Sequence, residues 1–508
     1  MGRALQKRKH RVEWAGFFLG PALGLLTLMS LPVDYLAQDG QLLVISQAGR
    51  ITAGLAVWMA VWWMTEAIPI YATALLPVTL LPLTGALPLA KAAAPYAHHL
   101  IFMFMGGFIL ALSMQRWGLH RRIAFFSLQI AGARPAQIVA CFMALTAFLS
   151  MWVSNTATAI MMAPVAISII QLNGTDEHDV EHGDKTTSNF AVCLLLGIAY
   201  AASIGGTATL IGTPPNLFLA SFYESQFGQE IGFVRWMGVG LPLALVFLPL
   251  CWFFLTRLLY PLPPEAIEGS DRFLKQAYEN LGPMNRGSWI TLVVFLMTAS
   301  LWISRPLLQE LSLAGRQPFV GLSDAGIAMA GALLLFMIPV DLTKREFTMD
   351  WETALKLPWG LLILFGGGLS LAQAIRTNGV GEFIASQVGL ISGAPPYLIV
   401  VAVTLLIIFL TELTSNTATT ATFVPILASM APALGMEPLL LIVPAALAAS
   451  CAFMLPVATP PNAIVFGTGR ISIPQMTRAG IWLNLLGVLL IPLATYLLAY
   501  PLLKVTPN

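Results

Sequence analysis

Charged residues are scarce in this sequence. Only 10% of its 508 residues are Asp, Glu, Lys or Arg, whereas 57% are hydrophobic and the mean hydropathy is +0.79. A soluble chain of this length needs far more charge to cover its surface, which excludes an ordinary soluble enzyme or binding module. Apolar runs of about 18 residues or more recur, and a run of that length crosses the hydrocarbon core of a bilayer. The composition therefore predicts an all-α, polytopic membrane protein.

Residues for other kinds of chemistry are equally sparse. The predicted spans contain no His/Asp/Glu metal set, no Ser–His pair and no glycine-rich phosphate loop, which argues against a membrane-embedded enzyme. No basic stripe occurs outside the short ends of the spans, so nucleic-acid binding is not expected. We predict no enzymatic activity and no cofactor. The cysteines lie in apolar segments without disulfide or metal-binding spacing and are interpreted as packing residues: Cys141, Cys193, Cys251 and Cys451.

What the sequence does contain is an internal repeat. The five residues Ser154–Thr158 recur letter for letter as Ser415–Thr419, 261 positions later, and the same offset carries Phe104 onto Phe365. Further on, the Thr-Pro-Pro-Asn motif at 213–216 recurs at 459–462. There the offset falls to 246, because a polar insertion at about 173–189 is present only in the first copy. A register held across several motifs indicates duplication.

The apolar runs divide the chain into about 11 spans and two hairpins. Each hairpin, at about 136–171 and about 396–430, is broken by its Ser-Asn-Thr tip. Such re-entrant hairpins are tolerated at membrane depth only where protein or a water-filled cavity surrounds the tip. The predicted divisions are 1–50 (basic N-terminus and first span), 51–260 (first repeat, spans 2–6), 261–322 (cytoplasmic connector and span 7) and 323–508 (second repeat, spans 8–11).

The positions of Lys and Arg predict the orientation in the plasma (inner) membrane. The basic residues of 1–11 place the N-terminus in the cytoplasm, and both ends of the polar loop 173–188 lie on the same side. Counting spans from there, the span at about 359–375 runs opposite to its partner at about 100–115. The repeats are therefore predicted to be inverted, so that one tip enters from each face and both reach the midplane.

Broken helices in repeated halves are the best sequence indication of a transporter's binding site. Half-helix N-termini offer free N–H groups and partial positive charge to an anion, whereas unwound carbonyls with Ser, Thr and Asn oxygens suit Na⁺. Ser150 and Thr411 add a hydroxyl one turn before each tip, and the carbonyls of Gly212 and Ala458 precede the Thr-Pro-Pro breaks. Capping is the competing interpretation of Ser, Asn and Thr at a helix break.

No Lys or Arg occurs in these motifs, so a bound anion must be neutralised by N–H groups or by bound cations, which favours cation-coupled transport. Of the acidic residues near spans, Glu412 either tunes the second site or pairs structurally, and Glu66 is interpreted as structural. His178 and His182 have metal-like spacing, but a solvated acidic loop is the preferred interpretation of their surroundings.

The paired motifs resemble those of the divalent anion:sodium symporter family, also called the INDY or sodium:sulfate/dicarboxylate symporters. The stretch 449–465 is similar to the family signature along its whole length, and Trp63–Pro69 is similar to another family segment. The resemblance covers nearly the whole chain. It implies a homodimer in which a transport subdomain moves across the membrane like an elevator against a scaffold.

The resemblance also implies residue roles. Substrate carboxylates are expected between the two tips, at Asn155, Thr156, Ser415, Asn416 and Thr417, with Thr213, Thr459 and Pro460 nearby. One sodium ion is expected at Ser150, Ser154, Asn155 and Gly212, and another at Thr411, Thr414, Asn416 and Ala458. These sodium-type oxygens are intact here, which favours a symporter over the exchangers of the family.

We therefore predict a secondary active transporter that imports a small divalent anion with Na⁺, most readily a C4-dicarboxylate such as succinate, malate or fumarate. A carboxylate exchanger, a sulfate importer and a cation/proton antiporter are alternatives within the same broad fold group. A channel is a further alternative, although paired breaks approached from opposite faces favour alternating access. The residue types do not distinguish succinate, citrate and sulfate.

Overall fold

A computed structural model describes residues 2–36, 41–129, 132, 134–172, 185–267, 275–276, 278–312, 316–388 and 393–504. Within these ranges the regular secondary structure is helical apart from two small antiparallel hairpins, β1 (Asp34–Leu36) with β2 (Leu42–Val44) and β3 (Pro339–Asp341) with β4 (Glu346–Phe347). The predicted polar loop 173–188 lies outside the described residues, except that a helix begins at Lys185.

The helices fall into two runs with a long connection between them. The first run is α1 (Gly2–Ser30), α2 (Gln47–Thr65), α3 (Ile70–Thr73), α4 (Leu76–Leu83), α5 (Leu89–Ala93), α6 (His99–Arg116), α7 (Leu119–Leu128), α8 (Pro135–Ser150), α9 (Asn155–Leu172), α10 (Lys185–Gly206), α11 (Pro214–Phe227) and α12 (Phe233–Phe253). The second run is α13 (Arg286–Glu310), α14 (Asp324–Met337), α15 (Trp351–Ala354), α16 (Trp359–Thr377), α17 (Val380–Val388), α18 (Pro396–Thr411), α19 (Asn416–Met430), α20 (Leu439–Ala449), α21 (Pro460–Gly467), α22 (Ile473–Ala494) and α23 (Tyr500–Leu503).

Eight helical segments of the described residues are long and apolar enough to cross a membrane. They are His10–Ser30, Leu89–Arg116, Asn155–Leu172, Asn189–Gly206, Phe233–Leu259, Arg286–Glu310, Trp359–Thr377 and Ile473–Leu503. Shorter apolar helices accompany them, among them the first arms of both hairpins, Pro135–Ser150 and Pro396–Thr411. The prediction of an all-α polytopic membrane protein is confirmed.

The two hairpins are built alike. Each first arm begins with a proline in its first turn, Pro135 in α8 and Pro396 in α18, where the missing N–H costs nothing. Each arm ends at the hydroxyl residue four positions before the tip, and the second arm restarts at the tip asparagine. The amphipathic segment after span four is the short helix α7, and its counterpart in the second copy is α17.

The two copies are related by a local two-fold axis. Phe104 of α6 and Phe365 of α16 hold equivalent positions, and their rings contact each other with centroids 5.3 Å apart. Equivalent residues meet each other next to the axis in a two-fold arrangement, and this contact fits that arrangement. The contacts between the two copies are also reciprocal, because α9 of the first copy packs on α21 of the second, and α19 of the second packs on α11 of the first.

The breaks in α10–α11 and α20–α21 are longer than predicted. The sequence placed them at Gly212–Asn216 and Ala458–Asn462, but α10 ends at Gly206 and α20 at Ala449, which leaves 207–213 and 450–459 unwound. The prolines of each Thr-Pro-Pro motif occupy the first turn of the following half-helix. They start a helix there rather than break one, because the first turn needs no backbone donor.

Two long helices rest directly on these unwound stretches. Gly240 of α12 lies against the backbone of Thr207 and Ala208, and Gly480 of α22 lies against the backbone of Phe453 and Met454. At both glycines the neighbouring backbone leaves no room for a Cβ atom. The contact between helix and unwound backbone is therefore fixed in both copies by the absence of a side chain.

One further prediction differs locally. The sequence predicts a single span at about Ile70–Leu87, but the structure divides it into α3 and α4 around residues 74–75, where Pro77 in the first turn of α4 restarts the helix. The basic N-terminal segment is helical from Gly2 and continuous with the first apolar helix, because Lys, Arg and Ala are good helix formers.

Candidate functional site

Four oxygen-bearing groups meet at the first tip, and three of them belong to residues predicted to bind sodium. The Oγ of Ser150, at the end of α8, lies 2.5 Å from the side-chain amide of Asn155, at the start of α9. Ser150 also donates to the carbonyl of Ala202 on α10 at 2.7 Å. The same Asn155 amide lies 3.2 Å from the carbonyls of both Gly212 and Ala202.

This arrangement suits a cation. With its NH₂ group turned inward, Asn155 donates to the surrounding oxygens of Ser150, Ala202 and Gly212. With its Oδ1 turned inward, Asn155 points this oxygen at other acceptor atoms only. A hard cation between these oxygens stabilises such an arrangement. The inward NH₂ group satisfies these oxygens without an ion, whereas the inward Oδ1 would need a bound cation.

The second tip repeats the contact. Thr411, at the end of α18, donates through Oγ1 to Oδ1 of Asn416 at 2.8 Å and to the carbonyl of Ala449 on α20 at 2.9 Å. Thr411 and Asn416 stand 261 positions after Ser150 and Asn155. Both sets therefore combine a hydroxyl, an amide and a carbonyl from the helix that precedes the unwound stretch.

An asparagine holds each unwound stretch. Asn216 donates through Nδ2 toward the carbonyls of Gly206, Thr207 and Thr209, at 3.2, 3.2 and 2.8 Å. Asn462 donates to the carbonyls of Ala452 and Leu455, at 3.1 and 3.0 Å. The Asn side chain thus satisfies carbonyls that the helix has released, which is necessary at membrane depth. Both residues belong to the repeated Thr-Pro-Pro-Asn motif, but the sequence alone assigns them no role.

Gly206 was also missed, and it sets the position of Asn155. A Cβ atom at Gly206 would lie 2.6 Å from Asn155 Oδ1, and one at Gly212 would lie 2.5 Å from the Gly206 carbonyl oxygen. The tip and the unwound backbone therefore approach as closely as glycine permits. The Gly205-Gly206 pair is visible in the sequence, but only the fold shows what it touches.

The other three residues predicted to bind sodium make contacts outside the two oxygen clusters. Ser154 Oγ accepts from the N–H of Ala157 at 3.3 Å, which is the capping role. Thr414 donates to the carbonyl of Leu410 at 3.0 Å, and its hydroxyl lies 2.7 Å from that of Thr419. Ala458 is buried within the second unwound stretch. The contacts of Thr411 and Asn416 described above run to Ala449 rather than to Ala458.

The predicted substrate residues stand at the N-terminal ends of four half-helices. Asn155 and Thr156 begin α9, Thr213 caps α11, Ser415 to Thr417 begin α19, and Thr459 and Pro460 begin α21. The ends of α9 and α19 present free N–H groups and a partial positive charge. The helices α11 and α21 each begin with two prolines, which have no N–H, so these ends offer the partial positive charge without N–H groups at those positions. Since α9 packs on α21 and α19 packs on α11, the fold pairs these elements across the two copies. Thr213, Thr417 and Thr459 are buried, whereas Pro460 is exposed.

Glu412 is buried beside the second tip and has a structural partner. Its Oε1 accepts from the N–H groups of Phe453 and Met454 at 2.7 and 2.9 Å, and Oε2 accepts from that of Leu455 at 3.1 Å. Asn484 on α22 donates to Oε1 at 2.8 Å. Of the two interpretations left open by the sequence, this geometry favours a carboxylate that organises the unwound stretch, and so it acts on the site through the backbone.

Comparison with known proteins agrees with these features. Residues 38–505 match the family model described as the sodium:sulfate symporter transmembrane region. The chain belongs to this family of sodium symporters. It is 43% identical over 498 residues to the sodium-dependent dicarboxylate transporter SdcS of Staphylococcus saprophyticus, covering 97% of this chain and 92% of that protein. It is 41% identical to SdcS of Staphylococcus aureus (strain NCTC 8325), covering 95% and 90%.

A solved transporter structure has a similar fold. The solved structure of the YdaH transporter of Alcanivorax borkumensis matches with a TM-score of 0.52 over 96% of this chain and 97% of the other. At 13% sequence identity this similarity concerns the fold alone. The expected membership in the divalent anion:sodium symporter family is thus confirmed.

Proposed function

We propose that this protein is a secondary active transporter that couples the entry of a small C4-dicarboxylate to the entry of Na⁺. The observation that carries the proposal is the duplicated oxygen cluster at Ser150–Asn155 and Thr411–Asn416. The relatives named as sodium-dependent dicarboxylate transporters, at 41–43% identity over nearly the full chain, support the same pairing of ion and substrate.

In this proposal the substrate carboxylates bind between the two tips. The N-terminal turns of α9 and α19 supply N–H groups, those of α11 and α21 add partial positive charge, and the side chains of Asn155, Thr156, Ser415, Asn416 and Thr417 add donors. The tips and unwound stretches contain no Lys or Arg, and the one carboxyl group among them is that of Glu412. Sodium ions at the two oxygen clusters therefore supply the positive charge that the substrate needs.

Membrane energetics favour this coupling. Moving a dianion into an inside-negative cell costs roughly 4.6 kcal/mol per 100 mV, because each elementary charge contributes about 2.3 kcal/mol. Three or more co-transported Na⁺ ions would reverse the sign of that term. The symporter would then draw on both the sodium gradient and the membrane potential.

The proposal includes an elevator-type movement in a homodimer located in the plasma (inner) membrane, with the N-terminus in the cytoplasm. The two-fold relation between the copies supports a site that can open to either face in turn. The protein acts as a transporter rather than an enzyme, since its duplicated polar groups suit reversible binding of ions.

Uptake in proteoliposomes tests the proposal. Labelled succinate should accumulate when Na⁺ is higher outside than inside, and should not when K⁺ replaces Na⁺. A competition panel of malate, fumarate, citrate and sulfate then defines the anion class. Uptake that requires internal carboxylate and ignores Na⁺ would show an exchanger instead, and preferential competition by sulfate would show a sulfate importer.

A further inference from the structure

Two histidines and a glutamate converge at a point away from the two tips. His98 and His99 stand at the start of α6, and Glu224 lies in the last turn of α11. Their ligand atoms all lie within 4.8 Å of one another. His99 Nε2 is 3.2 Å from Glu224 Oε2, and the two imidazole rings are stacked with centroids 4.6 Å apart. The transport proposal uses none of these groups.

We propose that His98, His99 and Glu224 bind a divalent transition-metal ion of the Zn²⁺ type and thereby join α6 to α11. Two imidazoles and one carboxylate are a recurrent zinc ligand set, with water in the fourth position. Imidazole ligands favour Zn²⁺ over Mg²⁺ and Ca²⁺, which prefer sites made of oxygens. The set is therefore selective by its chemistry against the alkali and alkaline-earth ions that surround a sodium transporter.

The geometry needs little adjustment. Two ligands of a tetrahedral zinc ion lie about 3.4 Å apart, given bonds of about 2.0–2.1 Å. His99 Nε2 and Glu224 Oε2, at 3.2 Å, already have that separation. The His98 ring must move inward, and its hydrogen bond is a long capping contact in which Nδ1 accepts from the N–H of Leu100 at 3.4 Å.

Access and charge also fit. The His99 side chain is 49% exposed, so an ion can reach it, whereas Glu224 is 23% exposed. Glu230 lies near enough to act electrostatically on His99, and it adds negative charge around a bound cation. The nearby Arg305 is itself paired with Glu230 and Asp324, at 2.8 and 3.2 Å, so its charge is largely compensated.

The position of the ion gives it a mechanical consequence. The half-helix α11 begins at the first unwound stretch, whereas α6 packs closely on α14 through Gly106 and Ala328. A metal bridge would fix the end of one element to the start of the other. Inhibition of uptake by Zn²⁺ follows if α11 moves relative to α6, and that part rests on the proposed function.

Metal binding is tested on purified full-length protein freed of metal with a chelator. Calorimetric titration with ZnCl₂ should give one site, and Zn²⁺ should raise the melting temperature by several degrees. His99→Ala and Glu224→Gln should each weaken Zn²⁺ binding at least tenfold and remove that rise. Glu224→His should keep the binding, because imidazole replaces one zinc ligand with another.

Two controls make the test specific. His10→Ala removes another His–carboxylate pair, since His10 Nδ1 lies 2.9 Å from Glu13, and it should leave Zn²⁺ binding unchanged. The double variant His178→Ala/His182→Ala removes the other closely spaced histidines of the sequence and should also bind normally. Wild-type Zn²⁺ affinity in both His99→Ala and Glu224→Gln, or loss of binding in the double variant instead, would overturn the proposal.

A separate measurement addresses transport. Micromolar Zn²⁺ should slow Na⁺-driven succinate uptake by wild-type protein and should not slow that by His99→Ala. If Zn²⁺ binds at the expected residues but leaves uptake unchanged, the metal site stands and relative movement of α6 and α11 is refuted. If no Na⁺-driven uptake occurs at all, the function proposed above fails while the titrations still report on the metal site.

Discussion

Glu412 and Met151 hold the same position in the two copies, yet they fix the neighbouring unwound stretch by opposite chemistry. The carboxylate of Glu412 accepts from the N–H groups of 453–455. At Met151 the backbone carbonyl accepts instead, from the hydroxyl of Thr209 at 2.6 Å, and that hydroxyl in turn accepts from the N–H of Gly212. The two halves thus share a geometry but differ in charge.

This difference predicts that the second half is sensitive to loss of the acid. In Glu412→Gln an NH₂ group replaces one of the two carboxylate oxygens. That NH₂ group would face a backbone N–H that now donates to the carboxylate, so two buried donors would face each other. Loss of a hydrogen-bonded buried charge costs about 1.5–3 kcal/mol. We expect a lower melting temperature and slower Na⁺-driven uptake.

Glu437→Gln is the matched control for that variant. Glu437 is 52% exposed and pairs with Lys504 at 3.1 Å, so its neutralisation should change stability by less than about 0.5 kcal/mol. Equal melting temperatures for Glu412→Gln and the wild type would show that the carboxylate does not hold the backbone.

The tip asparagines are predicted to be essential for sodium coupling. Asn155→Ala and Asn416→Ala each remove the amide oxygen that faces the hydroxyl and carbonyl groups, and each should abolish Na⁺-dependent uptake while leaving the protein folded. Asn189→Ala, which removes a single exposed contact to the Pro261 carbonyl, is the control. Near-wild-type uptake by either tip variant would remove that residue from the site.

The hydroxyls beside the asparagines are predicted to set the affinity for sodium. Thr411→Val keeps the shape of the side chain but removes its donor and acceptor, and about 1.5–3 kcal/mol of lost interaction corresponds to a 10- to 100-fold higher half-saturating Na⁺ concentration. Thr411→Ser restores the hydroxyl that Ser150 supplies in the first copy, so its Na⁺ dependence should remain near that of the wild type. Identical Na⁺ dependence for the Val and Ser variants would exclude this role.

Gly206 is predicted to accept no side chain. In Gly206→Ala the new Cβ would lie 2.6 Å from Asn155 Oδ1, so the amide must leave the oxygen cluster. Uptake at saturating succinate should then need at least tenfold more Na⁺. Gly467→Ala, also in a helix but with open space around the new Cβ, should behave as the wild type and so reports the cost of a helical Gly-to-Ala change alone.

Among these variants, removal of Arg305 is predicted to lower the stability of the protein the most. Its guanidinium neutralises Asp324, which is only 2% exposed, so Arg305→Met leaves a buried carboxylate without its cation. Such a loss costs about 3–5 kcal/mol. Adding Asp324→Asn should recover most of the stability in a denaturation series, because the buried charge is then gone. A single variant as stable as the wild type would contradict this account.

The repeat made much of the architecture predictable. Repeated motifs, at offsets of 261 and 246, identified both hairpins and both broken helices, and composition alone indicated a multi-pass membrane protein. The lengths of the unwound stretches could not be read in the same way. Proline marks where a helix starts again, whereas the ends of α10 and α20 depend on Asn216 and Asn462, which bind released carbonyls seven to ten residues earlier in the chain.

The candidate site shows the same limit. Hydroxyl and amide residues at the tips were identified because they are repeated, and the structure brings Ser150 to Asn155 and Thr411 to Asn416. Ala202, Ala449 and Gly206 contribute through backbone atoms or through the absence of a side chain, and such contributions leave no chemical signal in a sequence. Glu412 was visible as an acid in an apolar segment, but its backbone partners follow only from the fold.

The glycine contacts at Gly240 and Gly480 limit what can travel together. Because backbone contacts backbone at both glycines, α12 and α22 have no space to slide over the unwound stretches that they contact. In the proposed elevator movement, α12 and α22 would therefore travel together with the unwound stretches. The surface along which the moving part slides would then lie outside these two helices.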